Sequence, residues 1–414
     1  MKEKQDCGSD GYYQPHITQI LDISKSGYLP MTKNVTLFCS LKPLNGHNAV
    51  IQHNALNNWK HLPGVTAILL GNDDGVAEAA VEYGFDHIPD ILLSEYGTPL
   101  LDDIFYKAQT HAKTSLVCYI NGDILLPYNF AVVASKVAGQ LPSFLMTGPR
   151  WDVDVSERLN FSKNFSVLEK IRQERGVLHS PFGMDYFLFP NGMIDYIPPF
   201  RIGRPGWDNW IVAKTLRRKI PVVDATERIT ILHQNHDHKH VPGGTGDRWI
   251  GAPESVQNFE LIQDDGLINC GHYKITDASH YLAKDSMTVL SRRSALLSAM
   301  RKNGLVIFGA AGKGRSDLAV LEKRNMQVKY FCDNDSQKWG GCFCGRRVLS
   351  PENLLTLGTD VPVIISSISN KTKITEQLWR LGFMNIVDIN LLDDEYALLH
   401  NSIEMELAAS GDKG

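Results

Sequence analysis

The chain has 414 residues, a prior of two to three domains at about 150 residues each. Hydrophobic residues at 43% and charged residues at 21% exclude wholesale disorder and fibrous repeats. Lys+Arg 42 against Asp+Glu 46 leaves −4, with no basic excess to drive binding to phosphate backbones, so a nucleic-acid partner is not expected. Seven cysteines are few and odd in number, which fits a reducing compartment with buried thiols better than a disulfide framework. The opening MKEKQDCGSDGYYQPH lacks the apolar centre of a signal peptide, and no run approaches the roughly 18 apolar residues of a membrane span. The expectation from these features is a cytoplasmic chain, at most peripheral to the inner membrane face.

Residues 1–33 are polar and without period, a ragged lead-in. From there short apolar runs alternate with helix-patterned stretches. VTLFCSL (35–41) reads as a buried strand, AVIQHNALNNW (49–59) as a helix and VTAILLG (65–71) as a second strand. GVAEAAVEYG (75–84) is a helix closed by Gly84. Thr98-Pro99 has the form of an N-cap with Pro at the first helical position, opening PLLDDIFYKAQTHA. SLVCYI (115–120), SFLMTGP (143–149), MDYFLFP (184–190), PVVDATE (221–227) and ITILHQ (229–234) are further strands. NFAVVASKVAGQL (129–141) and WDNWIVAKTLRRK (207–219) are helices between them. Residues 240–275 read as loop, with Gly243, Gly244 and Gly246 clustered, and 276–302 as a charged helical stretch. A second strand-helix run follows, with strands at GLVIF, VKYFCD (328–333), VPVIISS (361–367) and NIVDI (385–389). The alternation predicts an α/β fold with a mainly parallel sheet, whose ligands bind at the carboxyl ends of the strands.

Four groups of polar residues fall at such strand ends. Asn72-Asp73-Asp74 follows the second strand, and Asn121-Gly122-Asp123 follows SLVCYI. Asp208 opens a helix, and His233, His236, His238 and His240 cluster past the last strand of this region. A short acidic turn after a strand suits Mg²⁺ or Mn²⁺ with a diphosphate, because these ions take few protein carboxylates and keep phosphate oxygens in the shell. Read alone, Asn-Gly-Asp is a turn favoured for backbone reasons. Its place at a strand end is what raises the metal reading.

The order VTLFCSLKP, AILLGNDDGVAE, YGTPLLDDIF, CYINGDILLP, GMDYFLFP, IGRPGWDNW and ILHQNHDH resembles bacterial glycosyltransferases of the GT-A fold, over roughly residues 34–240. Such enzymes transfer sugars from nucleotide-diphospho-sugars, often in cell-envelope or polysaccharide synthesis. The resemblance implies a GT-A-type domain, a divalent cation, a nucleotide-sugar donor and a glycan or other hydroxyl acceptor. NGD stands where these enzymes carry a DxD-type motif, so Asp123 is implied as the metal ligand and Asn121 as a weaker one. Asp73 or Asp74 would bind the base or ribose, with Phe38 and Ser40 alongside the nucleoside. His233 would be the second metal ligand, with His236 in reserve; without the resemblance the histidines read as a zinc site or as solvated loop residues. Asp208, at the start of its helix, would be the base of an inverting enzyme; its plain reading is a first-turn carboxylate favoured by the helix dipole. Arg204 could bind a phosphate or acceptor oxygen, and Trp207 and Trp210 could stack on a sugar or lie in the core. Asp185 and Arg150 are further acceptor-site candidates, with Asp152 beside them.

GLVIFGAAGKG (304–314) is a strand running into a glycine-rich turn. Gly309 and Gly314 fit the outer places of the dinucleotide fingerprint and Ala311 stands at the middle one, with Gly312 beside it. Asp333, 19 residues past Gly314, suits a ribose-binding acid. A P-loop is excluded, since Gly314 stands where Ser or Thr must follow Lys313. The motif, with VKYFCDND and RRVLSPENL, resembles Rossmann-like domains appended to sugar-modifying enzymes, which implies a nucleotide or dinucleotide ligand. Cys342-x-Cys344 has the wrong spacing for a zinc knuckle and reads as a β-turn of buried thiols.

The expected division is a lead-in 1–33, a GT-A-like domain 34–275, a helical linker 276–302, a Rossmann-like domain 303–395 and a tail 396–414. The expected activity is metal-dependent sugar transfer, inverting. The alternatives are a sugar-nucleotide nucleotidyltransferase, for which SLKPLNGHN lacks the glycine-rich loop with Arg and Lys, and a non-catalytic nucleotide sensor using the second domain.

Overall fold

The computed structural model describes residues 34–162, 164–236, 251–267, 273–367, 369–387 and 389. The expected lead-in and tail, His238, His240, Gly243, Gly244 and Gly246 lie outside them. The first strands are β1 (Val35–Ser40), β2 (Val65–Leu70), β3 (Asp86–Ile88), β4 (Leu116–Ile120), β5 (Ile124–Leu125), β6 (Leu145–Thr147) and β7 (Arg150–Val153). Then come β8 (Val177–Leu178), β9 (Tyr186–Pro190), β10 (Val222–Asp224), β11 (Ile231–Gln234), β12 (His280–Leu282) and β13 (Val289–Ser291). The last are β14 (Leu305–Phe308), β15 (Val328–Cys332), β16 (Cys342–Phe343), β17 (Arg346–Leu349), β18 (Val363–Ile365) and β19 (Ile386–Val387). The helices are α1 (Gly46–Lys60), α2 (Val76–Tyr83), α3 (Leu101–His111), α4 (Phe130–Ala138), α5 (Ser166–Arg175) and α6 (Trp207–Arg217). After these come α7 (Pro253–Asp264), α8 (Arg292–Asn303), α9 (Gly312–Lys323), α10 (Pro351–Leu354) and α11 (Lys371–Arg380).

The fold is mixed α/β around a large, mainly parallel sheet. Its nine strands lie in the order β13-β12-β10-β6-β9-β4-β1-β2-β3, and only β9 and β13 run against the rest. The central strands are continuous apolar runs because both faces are covered. Strand alternation sends Leu37, Cys118 and Leu69 to one core, and Phe38, Tyr119 and Ile68 to the other. On that second face Phe38, Phe105, Tyr119 and Phe189 pack with ring centroids 5.1–6.4 Å apart. Each buried aromatic side chain there contributes about 2–3 kcal/mol.

A second layer of four short strands, β5-β11-β7-β8, sits at the end of β4. Its register sets His233 opposite both Asp152 and Ile124. Paired residues of neighbouring strands project from the same face, so His233 and Asp152 meet. Helix α1 holds this layer from below. Asn58 Nδ2 donates to Leu126 O at 3.0 Å and Asn58 Oδ1 accepts Leu126 N–H at 2.8 Å, while the Trp59 indole N–H donates to Ile124 O at 3.0 Å.

A separate six-stranded sheet, β16-β17-β15-β14-β18-β19, is parallel except for the β16–β17 hairpin. The turn after β14 requires glycine. Gly309 has φ +122°, and a Cβ at Gly314 would fall 2.0 Å from the Gly309 carbonyl oxygen.

Several expectations need correction. Helix α3 begins at Leu101, with Leu100 extended at its N-cap. Thr98 does not cap it, because its hydroxyl donates to Glu254 at 2.9 Å, and Pro99 lies in a bridge to Leu93. Residues 253–264, expected as loop, form α7. The stretch 276–302 is helical only at its ends: β12 and β13 join the nine-stranded sheet, and α8 starts at Arg292. Cys342 and Cys344 do flank a turn, but Cys342 is exposed and Cys344 half-buried. Cys39, Cys118 and Cys332 are buried free thiols. Among the described residues, no helix is long and apolar enough to cross a membrane.

Candidate active site

The site forms where β4 ends against the small sheet. Asp123 lies in the turn between β4 and β5, and Gly122 before it admits no side chain, since a Cβ would stand 2.5 Å from Leu41 Cδ2. Gln234 fixes the turn from the other side, donating its Nε2–H to Asp123 O at 3.0 Å and to Ile51 O at 2.9 Å. The Asp123 carboxylate meets two imidazoles. His236 Nε2 is 3.1 Å from Asp123 Oδ2 and His233 Nε2 is 3.7 Å from it. Asp123 Oδ1 is buried with no hydrogen-bond partner. Burial opposes the charged carboxylate, but His233 and His236 outweigh it and hold Asp123 below the usual carboxylate range. Burial likewise opposes the imidazolium of His233, and the Asp123 carboxylate overrides it, raising that pKa.

The donor atoms of Asp123, His233 and His236 all lie within 4.8 Å of one another. Ligands about 2.1 Å from one ion are separated by roughly 3–4 Å, so this spacing fits a single divalent cation. The orphaned Asp123 oxygen supports the same fit, since a buried polar atom without a partner is costly. One carboxylate with two imidazoles suits Mn²⁺ better than Mg²⁺, which prefers oxygen throughout.

Asn121 is engaged differently. Its Nδ2 donates to Asp185 Oδ1 at 2.6 Å, and its Oδ1 accepts the Tyr119 hydroxyl at 3.0 Å. Asp185 is 5% exposed, and Arg150 Nη1 reaches both its oxygens at 3.0 Å. Arg150 Nε lies 2.9 Å from Asp152 Oδ1, so Asp185, Arg150 and Asp152 form one ion-pair chain beside the imidazoles. Asp208 opens α6 and its carboxylate accepts the Asn209 N–H at 2.9 Å. Burial pushes the Asp208 carboxyl up to about 6, the Asn209 N–H opposing and the Asp185 charge adding to the shift. Asp185, Asp123 and Asp208 all act on the Tyr119 hydroxyl, whose pKa burial already raises, so the three carboxylates share one neighbourhood.

Other expected residues fall elsewhere. Phe38, expected beside a nucleoside, is fully buried in the aromatic cluster. Ser40 is half-buried at the end of β1, with Asp73 and Asp74 exposed beyond β2. Trp207 and Trp210 offer no face to a sugar. Trp207 packs edge-on to Tyr119 and Phe187 at 4.9 and 5.3 Å, and Trp210 packs against Phe200 at 5.2 Å. Arg204, expected to bind a phosphate, is buried and paired with Glu254 at 2.5 Å. Glu254 also accepts the hydroxyls of Ser94 and Thr98 at 2.6 and 2.9 Å. That ion pair ties α7 to the start of α6.

In the second sheet Asp333, expected to bind a ribose, is occupied by its own chain. Its Oδ2 accepts Ala310 N–H at 2.8 Å and Lys338 Nζ at 2.9 Å, and its Oδ1 accepts Asp335 N–H at 2.9 Å. Gly309 lies in the β14–α9 turn, and Gly312 and Gly314 in the first turn of α9. The sequence reading missed His179, Gln234 and Glu254, and the polar stripe Gln52, Asn54, Asn58 on the buried face of α1. The i,i+4 repeat of Asn54 and Asn58 among the apolar residues of α1 was the one available signal.

No family model and no curated protein matches this chain. Among solved structures it is similar to glucosyl-3-phosphoglycerate synthase of Mycobacterium tuberculosis, at 13% identity over 57% of this chain and 81% of that one, TM-score 0.35. The same synthase in complex with Mn²⁺ and UDP-glucose gives 13% identity over 57% and 80%, TM-score 0.35. A mannosyltransferase of Pyrobaculum calidifontis in complex with GDP-Man and Mn²⁺ gives 10% over 73% and 84%, TM-score 0.32. Likeness at this level carries no weight for function, which rests on the site.

Proposed function

We propose that this chain is a metal-dependent glycosyltransferase, GT-A-like in its first part, that moves a sugar from a nucleotide-diphospho-sugar to a hydroxyl acceptor with inversion. The observation that carries the reading is the pairing of two different acidic centres. Asp123 is held ionised among imidazoles with donor spacing for one cation, and Asp208 is held near pH 6 in the same neighbourhood. Environments that drive two carboxyls apart mark different chemical tasks. Asp123, His233 and His236 would hold a cation, which would supply Lewis-acid stabilisation to a departing nucleoside diphosphate. Asp208, deprotonated above about pH 6, takes the proton of the acceptor hydroxyl. Asp185 and Arg150 set the charge around it, and Asn121 anchors Asp185 to the β4 turn. The described residues of the stretch 303–395 belong to a second, Rossmann-like domain in this reading, which makes no use of a nucleotide there.

The test is release of nucleoside diphosphate from a panel of nucleotide-diphospho-sugars with Mn²⁺, alone and with simple hydroxyl acceptors. Wild type should release it slowly by hydrolysis and faster with acceptor; Asp123→Ala should release none. Pyrophosphate formed from a nucleoside triphosphate and a sugar phosphate, with no diphosphate release, would instead identify a nucleotidyltransferase.

A further inference from the structure

His233 does not stand alone on its strand. Its Nδ1 lies 3.2 Å from Asp152 Oδ1 across the β7–β11 ladder, an ion-pair distance without hydrogen-bond alignment, so that a small rotation of either side chain completes the bond. The other oxygen of Asp152 is 2.5 Å from His179 Nδ1. His179 follows β8 on the far side of β7, and its own N–H donates to Arg150 O at 3.0 Å. Gly183 leaves room for its ring, since a Cβ there would meet His179 Cδ2 at 2.3 Å. The carbonyl of His179 is bound from outside this layer: the Trp379 indole N–H donates to it at 2.9 Å, across 200 residues of sequence.

Trp379 belongs to α11, whose Ile374 and Leu378 pack in the core of the six-stranded sheet. Trp379 points the other way. It is 1% exposed and packs in the core of the nine-stranded sheet with Met184 and Ile275. One helix therefore buries side chains in both cores, and its indole N–H is spent on the residue that orients Asp152. When Nδ1–H of an imidazole faces a carboxylate, its Nε2 lone pair is left free and aimed, and such outer partners tune a metal ligand.

We propose that Asp152 and His179 are positioning residues for the metal ligand His233, and that Trp379 lets the second sheet set the geometry of that ligand. The proposal rests on the reading of Asp123, His233 and His236 as a cation site. It gives the second sheet a part in the function that requires no ligand of its own. Because His179 is clamped through backbone bonds to β7 on one side and α11 on the other, movement of α11 shifts the imidazole that holds Asp152.

The experiment is Mn²⁺ binding to the full chain, read from the electron paramagnetic resonance of free ion and from nitrogen hyperfine coupling in the bound ion. Asp152→Asn should weaken binding by about 10–100-fold, the range for loss of a ligand's outer partner. His179→Ala should weaken it in the same direction. His179→Asn, which keeps a donor where Nδ1 stands, should recover most of the loss. Trp379→Phe removes only the indole N–H donor and part of the ring. It should reproduce the effect of His179→Ala, with the two effects less than additive when combined. Wild type that binds Mn²⁺, with Asp123→Ala that does not, would uphold the cation site. If Asp152→Asn, His179→Ala and Trp379→Phe then bound as wild type, the positioning chain would be overturned and the site would stand. Wild type without Mn²⁺ binding would overturn both. A Trp379→Phe chain that fails to fold leaves the two His179 substitutions to decide, since that side chain is one-third exposed.

Discussion

His236 Nε2 stands 3.1 Å from Asp123 Oδ2, although 113 residues separate them in the chain. Their meeting is a product of the small sheet: Gln234 N–H bonds Asp123 O at 3.3 Å, and two residues later the chain delivers His236 to the carboxylate. A fold that brings two imidazoles onto one buried carboxylate has chosen charge over packing. That choice makes the site's response to pH, metal and mutation specific.

Asp208→Asn should separate catalysis from stability. The folded chain holds the Asp208 proton more tightly than the unfolded chain, since burial lifts its pKa to about 6. The sign follows: this contribution to stability is full below about pH 4 and is lost as pH rises through about 6. A permanently neutral Asn escapes that loss. Asp208→Asn should therefore be more stable than wild type at pH 8, by roughly 2–3 kcal/mol, and equal to it at pH 4. Transfer should be lost while Mn²⁺-dependent nucleotide binding survives. Urea denaturation at the two pH values and single-turnover transfer measure the two effects.

Removing metal should leave a mark on the alkaline side. His233 has a raised pKa in the folded chain, so its stabilising contact with Asp123 is complete below the ordinary histidine pKa of about 6.5 and is lost as pH rises through the folded value. Chelated protein should lose thermal stability across that window. Asp123→Asn should flatten the dependence. Added Mn²⁺ should oppose it, because metal binding requires the neutral imidazole and so strengthens as pH rises. Melting temperatures from pH 6 to 9, with chelator and with Mn²⁺, give the comparison.

The Arg204–Glu254 pair should prove structural. Both side chains are under 10% exposed, and Glu254 accepts two further hydroxyls. Glu254→Ala leaves a buried guanidinium without its counter-charge and should cost about 3–5 kcal/mol. Replacing both members with apolar residues should cost far less. Denaturant midpoints for the single and double substitutions decide between this and a phosphate-binding arginine, for which Glu254→Ala would weaken donor binding and leave stability near wild type.

Much of this architecture is legible in the chain, and the reasons for the rest are physical. β1, β2 and β4 announce themselves as apolar runs because both faces of the sheet are covered. The end of α2 is visible because Gly84, at φ +71°, takes a left-handed conformation that most residues avoid. β7 and β8 were hidden: Arg150 and Asp152 belong to the site rather than the core, and no periodicity exposes a two-residue strand. Asp123 and His233 could be singled out as candidates because their strand-end positions carry chemical meaning, and Asp208 because it opens a helix. His179 could not, since its role comes from a ladder register and a contact 200 residues away. Trp207 and Arg204 show a related cause: Trp207 takes the core place of the two its sequence left open, and Arg204 is buried against Glu254. Residue type suggests what a side chain can do, and only burial decides whether it faces a ligand or the core.

The most direct test of the central claim is a thermal-shift series on wild type and Asp123→Ala, with nucleoside diphosphates and nucleotide-diphospho-sugars, each with and without Mn²⁺. A ligand that binds only the folded chain raises the midpoint. A shift in wild type that requires Mn²⁺, and that disappears in Asp123→Ala, is the result this account predicts. A nucleotide shift that is independent of metal and survives the substitution, or none with any nucleotide, would contradict it.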